Sequence, residues 1–192
     1  EPSWGGVRVL ARVELGGARF FDEDGVDCTE EFGDIAAALA DSAQAGELIL
    51  DGFLTVEPSQ PGEGVRATSV EAPGGGQIMA QMLVGSRMAP KPGTKRHLDT
   101  DQPIAFVAVD LLSIDDTRLL DVPLLERKRL LDGAIRVGNR IRITPFIRPP
   151  IGSFAITWKS LGFEELAYKG PNSRYFPNGQ NDDWSIAPMP TR

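Results

Sequence analysis

Few residues of this chain have the type and spacing to do chemistry. One cysteine, Cys28, and one histidine, His97, cannot make a zinc site between them. His97 also sits in a Lys-Arg-His run on a Pro- and Gly-rich stretch, where a solvated charge cluster is the plainer account. Pro73-Gly74-Gly75-Gly76 could suggest a phosphate cradle, but it lacks the Lys-Ser/Thr ending of a phosphate loop and does not follow a strand directly. Arg136, Arg140, Arg142 and Arg148 are the best candidate for a basic patch, although alternate residues of a strand with Arg on the solvent face explain them more simply. The amines are Lys91, Lys95, Lys128, Lys159 and Lys169. The remaining stretch of interest is the first eight residues, Glu1-Pro2-Ser3-Trp4-Gly5-Gly6-Val7-Arg8, which run into an alternating strand pattern at Val7, Val9, Ala11 and Val13.

The chain must position these residues with 192 amino acids, 41% of them apolar, enough for one sizeable core or two small lobes. No apolar run approaches the roughly 18 residues that a membrane span needs, so no membrane partner is expected. The lone cysteine and the lack of a charged-then-apolar leader make a reducing cytoplasm the expected compartment. A net charge of -7, from 27 acidic against 20 basic residues, has the wrong sign for a domain built to grip phosphodiester backbone. DNA is expected to bind weakly if at all.

Gly16-Gly17 reads as a hairpin turn between the first strand and residues 18–21. Thr29 is expected to cap a short helix carrying Phe32, Ile35, Ala38 and Leu39 on one face. ELILDGFLTV, residues 47–56, reads as a buried strand interrupted at Asp51-Gly52. Residues 57–103 read as a long loop or insert containing a helix-like piece, Gln77 to Val84. IAFVAVDLL, residues 104–112, is a central strand. Asp121 is expected to cap a helix over 123–135 with an apolar stripe of Leu124, Leu125, Leu130 and Leu131. Strands at 140–146 and 163–169 flank a helix at 152–161 with Phe154 and Trp158 inward, and Pro188 and Pro190 end regular structure. Hairpins with helices set between them point to an α+β fold with antiparallel sheets.

The order of these segments resembles the adenylation domain of ATP-dependent DNA ligases, the bacterial end-joining type above all. The phrases DGVDCTEEFGDIAAAL, ELILDGFLTV, FVAVDLLSIDD, LLDVPLLERKRLL and LGFEELAYKGPNSRYFPNGQNDDW carry it, spread over nearly the whole length. The resemblance implies the nucleotidyltransferase fold shared by DNA ligases and mRNA capping enzymes, related to ATP-grasp architectures. It implies one adenylation domain over 1–192, without the oligonucleotide-binding domain that ordinarily follows. The chemistry it implies is attack by a lysine on the α-phosphate of ATP, with magnesium assisting, to give a lysyl phosphoramidate.

Residue by residue, the resemblance implies that this chemistry has been lost. In the motif Lys-x-Asp-Gly-x-Arg the lysine falls on Ser3 and the Asp on Gly5, while Gly6 and Arg8 match. A serine would need an adjacent base, and neither Trp4 nor Gly5 is one. The arginine expected to contact the nucleotide falls on Glu23. The Glu of Asp-Gly-Glu falls on Phe53, and the aromatic expected on adenine falls on Val109, just before Asp110. Glu164 and Lys169 match the ends of Glu-Gly-x-x-x-Lys, making Glu164 a remnant metal ligand. The two lysines of Asp-Trp-x-Lys-x-Lys fall on Ile186 and Pro188. Gly6, Asp51, Gly52, Asp110, Tyr175, Gly179, Asp183 and Trp184 still match, and most of these read as structural.

The expectation is a domain with no nucleophile and no required cofactor, a structural or interaction module beside DNA repair or end-joining proteins. Arg8, Phe53, Val109 and Lys169 would line the remnant of its nucleotide cleft. That reading expects a closed or apolar-filled cleft around Ser3, Phe53 and Val109. The alternatives are a module that binds a nucleotide or DNA end without chemistry, which expects an open cleft with Arg8 and Lys169 facing in, and a working ligase that takes ATP and magnesium and uses another lysine.

Overall fold

A computed structural model describes residues 1–56, 103–177 and 181–190. The expected loop or insert at 57–103, its helix at Gln77 to Val84, the triple glycine, His97 and Gly179 lie outside these, apart from Pro103.

Strand β1 (Val7–Glu14) alternates as its sequence demands, burying Val9, Ala11 and Val13 and leaving Leu10 and Arg12 exposed. It turns through Leu15 and Gly16 into β2 (Gly17–Phe21), with Glu14 opposite Gly17. A 3-10 turn (Thr29–Phe32) leads into α1 (Gly33–Ser42). The Thr29 hydroxyl accepts from the Phe20 N–H at 2.9 Å and is not a helix cap, so the loop's first duty is to close the hairpin. Strand β3 (Leu48–Val56) is continuous through Asp51-Gly52, and its long partner β4 (Ile104–Ile114) absorbs the irregularity. A two-residue strand β5 (Thr117–Arg118) folds back on β4.

Helix α2 (Leu124–Ala134) starts after Pro123 without a side-chain cap. Asp121, the expected cap, is drawn to Arg174 at 3.3 Å instead. The first free N–H groups of the helix are satisfied by backbone: Leu124 N–H donates to Ser173 at 3.0 Å and Leu125 N–H to Pro171 at 3.1 Å. Its buried face is Leu124, Arg127, Lys128 and Leu131, an i, i+3, i+4, i+7 set, whereas Leu125 and Leu130 are only half-buried. The purely apolar stripe is therefore corrected, because two cations with buried partners share that face.

Strand β6 (Ile141–Ile143) is shorter than expected and runs parallel to β4, Phe106 opposite Ile141. It is buried throughout. Arg142 is accordingly not on a solvent face: it is 5% exposed and its Nε donates to the Asn139 carbonyl at 2.8 Å. Arg136 and Arg140 likewise donate to the backbone carbonyls of Asp41 and Ile104. After α3 (Gly152–Ser160), strands β7 (Glu165–Lys169) and β8 (Trp184–Pro188) form a separate two-stranded sheet. Regular structure ends at Pro188 as expected, and that residue closes an edge strand opposite Glu165.

The large sheet has the order β2-β1-β3-β4-β5, with β6 also on β4. One of its faces packs with the 3-10 turn, α1 and α2 around Phe20, Ile35, Leu39, Leu50, Phe106 and Leu131. The other joins Val107 and Val109 of β4 to Trp4, Trp158, Phe163, Leu166 and Met189, which fastens the small sheet and α3. The first residues bridge the two sheets. Ser3 N–H donates to Glu165 at 3.0 Å and Ala167 N–H donates to Glu1 at 2.9 Å, before the chain crosses into β1.

Two matched glycines have packing reasons. Gly6, at the crossing, has φ 103°, and an added Cβ would lie 2.1 Å from the Leu54 carbonyl oxygen. At Gly52 a Cβ would meet the Phe106 ring at 2.4 Å and the Val107 carbonyl oxygen at 2.6 Å. Gly6→Ala combines a left-handed penalty with a backbone clash, so it should destabilise the chain by at least about 2 kcal/mol in urea unfolding. An unchanged midpoint would contradict that packing.

Candidate functional site

The β3–β4 register skips two residues of β4. Ile49 pairs with Ser113 and Leu50 with Leu111, passing over Leu112, while Asp51 pairs with Asp110 and Gly52 with Ala108, passing over Val109. A bulge re-aims the extra side chain and leaves its backbone outside the ladder. Both skipped residues line one cavity of about 1130 Å³, whose walls come from the large sheet and from β7 and β8. The Val109 carbonyl is taken up by Lys128, whose Nζ donates to it at 2.6 Å.

Lys128 is buried, and its ammonium also meets the Glu1 carboxylate, Nζ to Oε1 at 2.5 Å. The other carboxylate oxygen of Glu1 is 2.8 Å from Lys169 Nζ. One anion is thus shared by two lysines, one from α2 and one from the end of β7. Burial works against the charged Glu1 carboxyl, yet Lys128 and then Lys169 outweigh it and hold the carboxyl down at about 2. Burial pushes the Lys128 ammonium down, with Glu1 pulling the other way. Lys169 also lies over the Trp184 ring, 4.8 Å from its centroid. Glu1, Ala167, Tyr168 and Lys169 form a partition with a second, smaller cavity of about 680 Å³, on whose side Lys128 lies.

On the opposite wall Arg8 reaches across from β1 to Asp51 on β3, Nε to Oδ1 at 3.0 Å and Nη2 to Oδ2 at 2.7 Å. The Tyr175 hydroxyl donates to the same Asp51 oxygen at 3.1 Å. Hydrogen bonding to Asp51 raises the Arg8 guanidinium still further, against burial and with help from Tyr175 and Glu23. Burial and then Asp51 raise the Tyr175 phenol, keeping it a donor. Tyr175 is held edge-on to Trp184, whose indole N–H donates to the Ser173 hydroxyl at 2.7 Å. Behind this wall Asp110 and Arg127, both fully buried, form a fork at 2.8 and 2.7 Å. Asp51 and Asp110 therefore have partners within the fold that account for their presence.

Ser3, Arg8, Phe53, Val109 and Lys169 all line the large cavity. Glu164 does not: it is exposed one residue before β7 and its backbone carbonyl accepts from Met189 N–H at 2.8 Å. Among the described residues no group of three or more His, Cys, Asp or Glu could hold a metal ion. Of the four carboxylates lining the cavity, Glu1 and Asp51 are engaged with cations and Asp22 accepts from the Asp24 and Val26 N–H groups, which leaves Glu23 alone and does not make a donor set for a divalent cation. Glu23 sits at the mouth, exposed, and Ile186 lines the wall where the resemblance expects a lysine. No described helix is long and apolar enough to cross a membrane.

Sequence reasoning misses Glu1, names Lys128 only as one of the available amines, and misses Arg127. For the last two the signal was their helical spacing with Leu124 and Leu131, which places them on the buried face whatever their polarity. For Glu1 no local signal exists, because both its partners are more than a hundred residues away.

This fold and its cleft define a nucleotidyltransferase-type ligase domain, and residues 1–185 match the ATP dependent DNA ligase domain family, to which the chain belongs. It is 27% identical over 187 residues to the multifunctional non-homologous end joining protein LigD of Mycobacterium bovis, covering 96% of this chain and 20% of that protein. The LigD proteins of two Mycobacterium tuberculosis strains match to the same extent. Among solved structures, the ligase domain of M. tuberculosis LigD superimposes with a TM-score of 0.64 at 23% identity, over 97% of this chain and 52% of that one. A mycobacterial DNA ligase D complexed with ATP and MES gives 0.65 at 23% identity, over the same shares. The chain therefore spans a fifth of the curated relatives and about half of the solved chains.

Replacing Glu1 by Gln leaves two neighbouring ammonium groups without their shared anion. It should cost about 3–5 kcal/mol of unfolding free energy at pH 7. Because the folded carboxyl titrates at about 2 and the ordinary value is 4.5, the wild-type advantage is full above about 4.5 and disappears as pH falls toward 2. Urea titrations of both proteins across that range check it, and a penalty that persists at pH 2 would contradict the assignment.

Proposed function

We propose that this domain uses the ligase fold for non-covalent ligand binding and does not transfer a nucleotide. The observation that carries this reading is the Glu1 carboxylate shared by Lys128 and Lys169. Of the lysines among the described residues, these two are closest to the cleft and both are answered by an internal anion, while Lys159 is exposed on α3 away from it. An amine attacks phosphorus only with a free lone pair directed at the reacting atom. Lys128 gives its protons to a carboxylate and a carbonyl and is walled off by the partition, so it makes a poor substitute nucleophile. Ser3, at the position the resemblance gives to the nucleophile, has no base beside it in the sequence, where its neighbours are Pro2 and Trp4.

The cleft is open at about 1130 Å³ and is not filled by apolar side chains, which supports a binding module over a purely structural remnant. The net charge of -7 argues against DNA as its main ligand. Relatives named for non-homologous end joining support a setting beside end-joining or other DNA repair proteins. Incubation with ATP and magnesium, followed by intact-mass measurement, should yield no adenylate adduct, and a nicked duplex should stay unsealed. An adenylated lysine would sink the reading.

A further inference from the structure

We propose that the large cleft selects an uncharged nucleoside over a nucleoside triphosphate, with Glu23 as the residue that sets this preference. The inference rests on the non-covalent reading above and deepens it. Four carboxylates, Glu1, Asp22, Glu23 and Asp51, line the cleft against three cations, Arg8, Arg118 and Lys169. Two of those cations are committed within the protein. Arg8 is held by both oxygens of Asp51, and Lys169 by Glu1. A polyanionic tail entering this space meets one further cation, the exposed Arg118, against two further carboxylates, Asp22 and Glu23, and in a partly enclosed cleft their repulsion is several-fold larger than in water.

What the cleft offers instead suits a flat, neutral ring bearing hydroxyls. Phe53, Tyr175, Phe176 and Trp184 give aromatic surface, and Leu10 and Ile49 add an apolar rim. Nucleobases stack on such surfaces regardless of charge. Ser3, Glu23, Arg118, Tyr168 and Ser185 are wall residues whose side chains make no hydrogen bond to another described residue, and of these Glu23 is the anion. A carboxylate is an acceptor only, so it takes hydrogen bonds from the vicinal hydroxyls of a ribose and repels a phosphate. Glu23 lies close enough to Arg8 to raise that group's affinity for its proton, which puts its charge on the same wall as the Arg8–Asp51 pair. The cavity is ample for a nucleoside.

The test is a titration of the full chain with adenosine, AMP and ATP, with and without magnesium, followed by calorimetry and by fluorescence of the cleft tryptophans. Affinity should fall with each added phosphate, adenosine binding at least roughly tenfold tighter than ATP at low salt, and the gap should narrow as salt is raised. Glu23 is exposed, so Glu23→Arg should fold normally, tighten ATP by roughly tenfold or more and weaken adenosine. Wild-type protein that binds ATP as well as adenosine, or binds none of the three, overturns the proposal, as does a Glu23→Arg variant with an unchanged preference. Mass measurement on the same ATP samples separates the two failures: an adenylate adduct overturns the non-covalent reading, whatever the titrations give.

Discussion

One carboxylate shared between two ammonium groups fixes how the parts of this domain meet. Glu1 belongs to the segment that joins the two sheets, Lys128 to the helix behind the large sheet, and Lys169 to the end of β7. A buried charge set of this kind is costly to assemble and costly to break, because each member left alone would be an uncompensated ion in a poor solvent. Its additional hydrogen bond, from Lys128 to the Val109 carbonyl, stabilises the bulge that turns Val109 into the cleft. The same interaction therefore shapes the cleft wall and neutralises the cations nearest to it.

The opposite wall follows the same logic. Arg8, Asp51 and Tyr175 satisfy one another across β1, β3 and the segment before β8, and Asp110 with Arg127 ties β4 to α2. Arg8, Asp51, Asp110 and Tyr175, which match positions of the ligase motifs, are here joined to partners within the fold. The result is a site whose charges are largely answered internally and whose open space is mostly aromatic and apolar.

Much of this fold was legible in the sequence because it rests on local rules. The Gly16-Gly17 turn and the alternation of Val9, Ala11 and Val13 gave the first hairpin, and the run from Ile104 gave the central strand. The family phrases gave the whole architecture at once. Less legible were features decided by partners distant in sequence. Asp51-Gly52 reads as a break, but β3 passes through because the extra residue is accommodated on β4. The expected stripe of Leu124, Leu125, Leu130 and Leu131 left out Arg127 and Lys128, whose partners Asp110, Val109 and Glu1 lie inside. Arg142 read as a surface residue because alternation was assumed for a strand that is buried on both faces. Strand β8 was hidden by Pro188, whose missing N–H an edge position tolerates.

The central claim is that Glu1 and the two lysines act as one unit, and a double-mutant cycle reads this directly. Stability would be measured for the wild type, Glu1→Gln, Lys128→Met and the combined variant at pH 7. A coupling of about 2 kcal/mol or more, with the double variant far less impaired than the sum of the singles, is the predicted result. Strict additivity would show that the carboxylate and the buried lysine do not depend on each other, and would contradict the account.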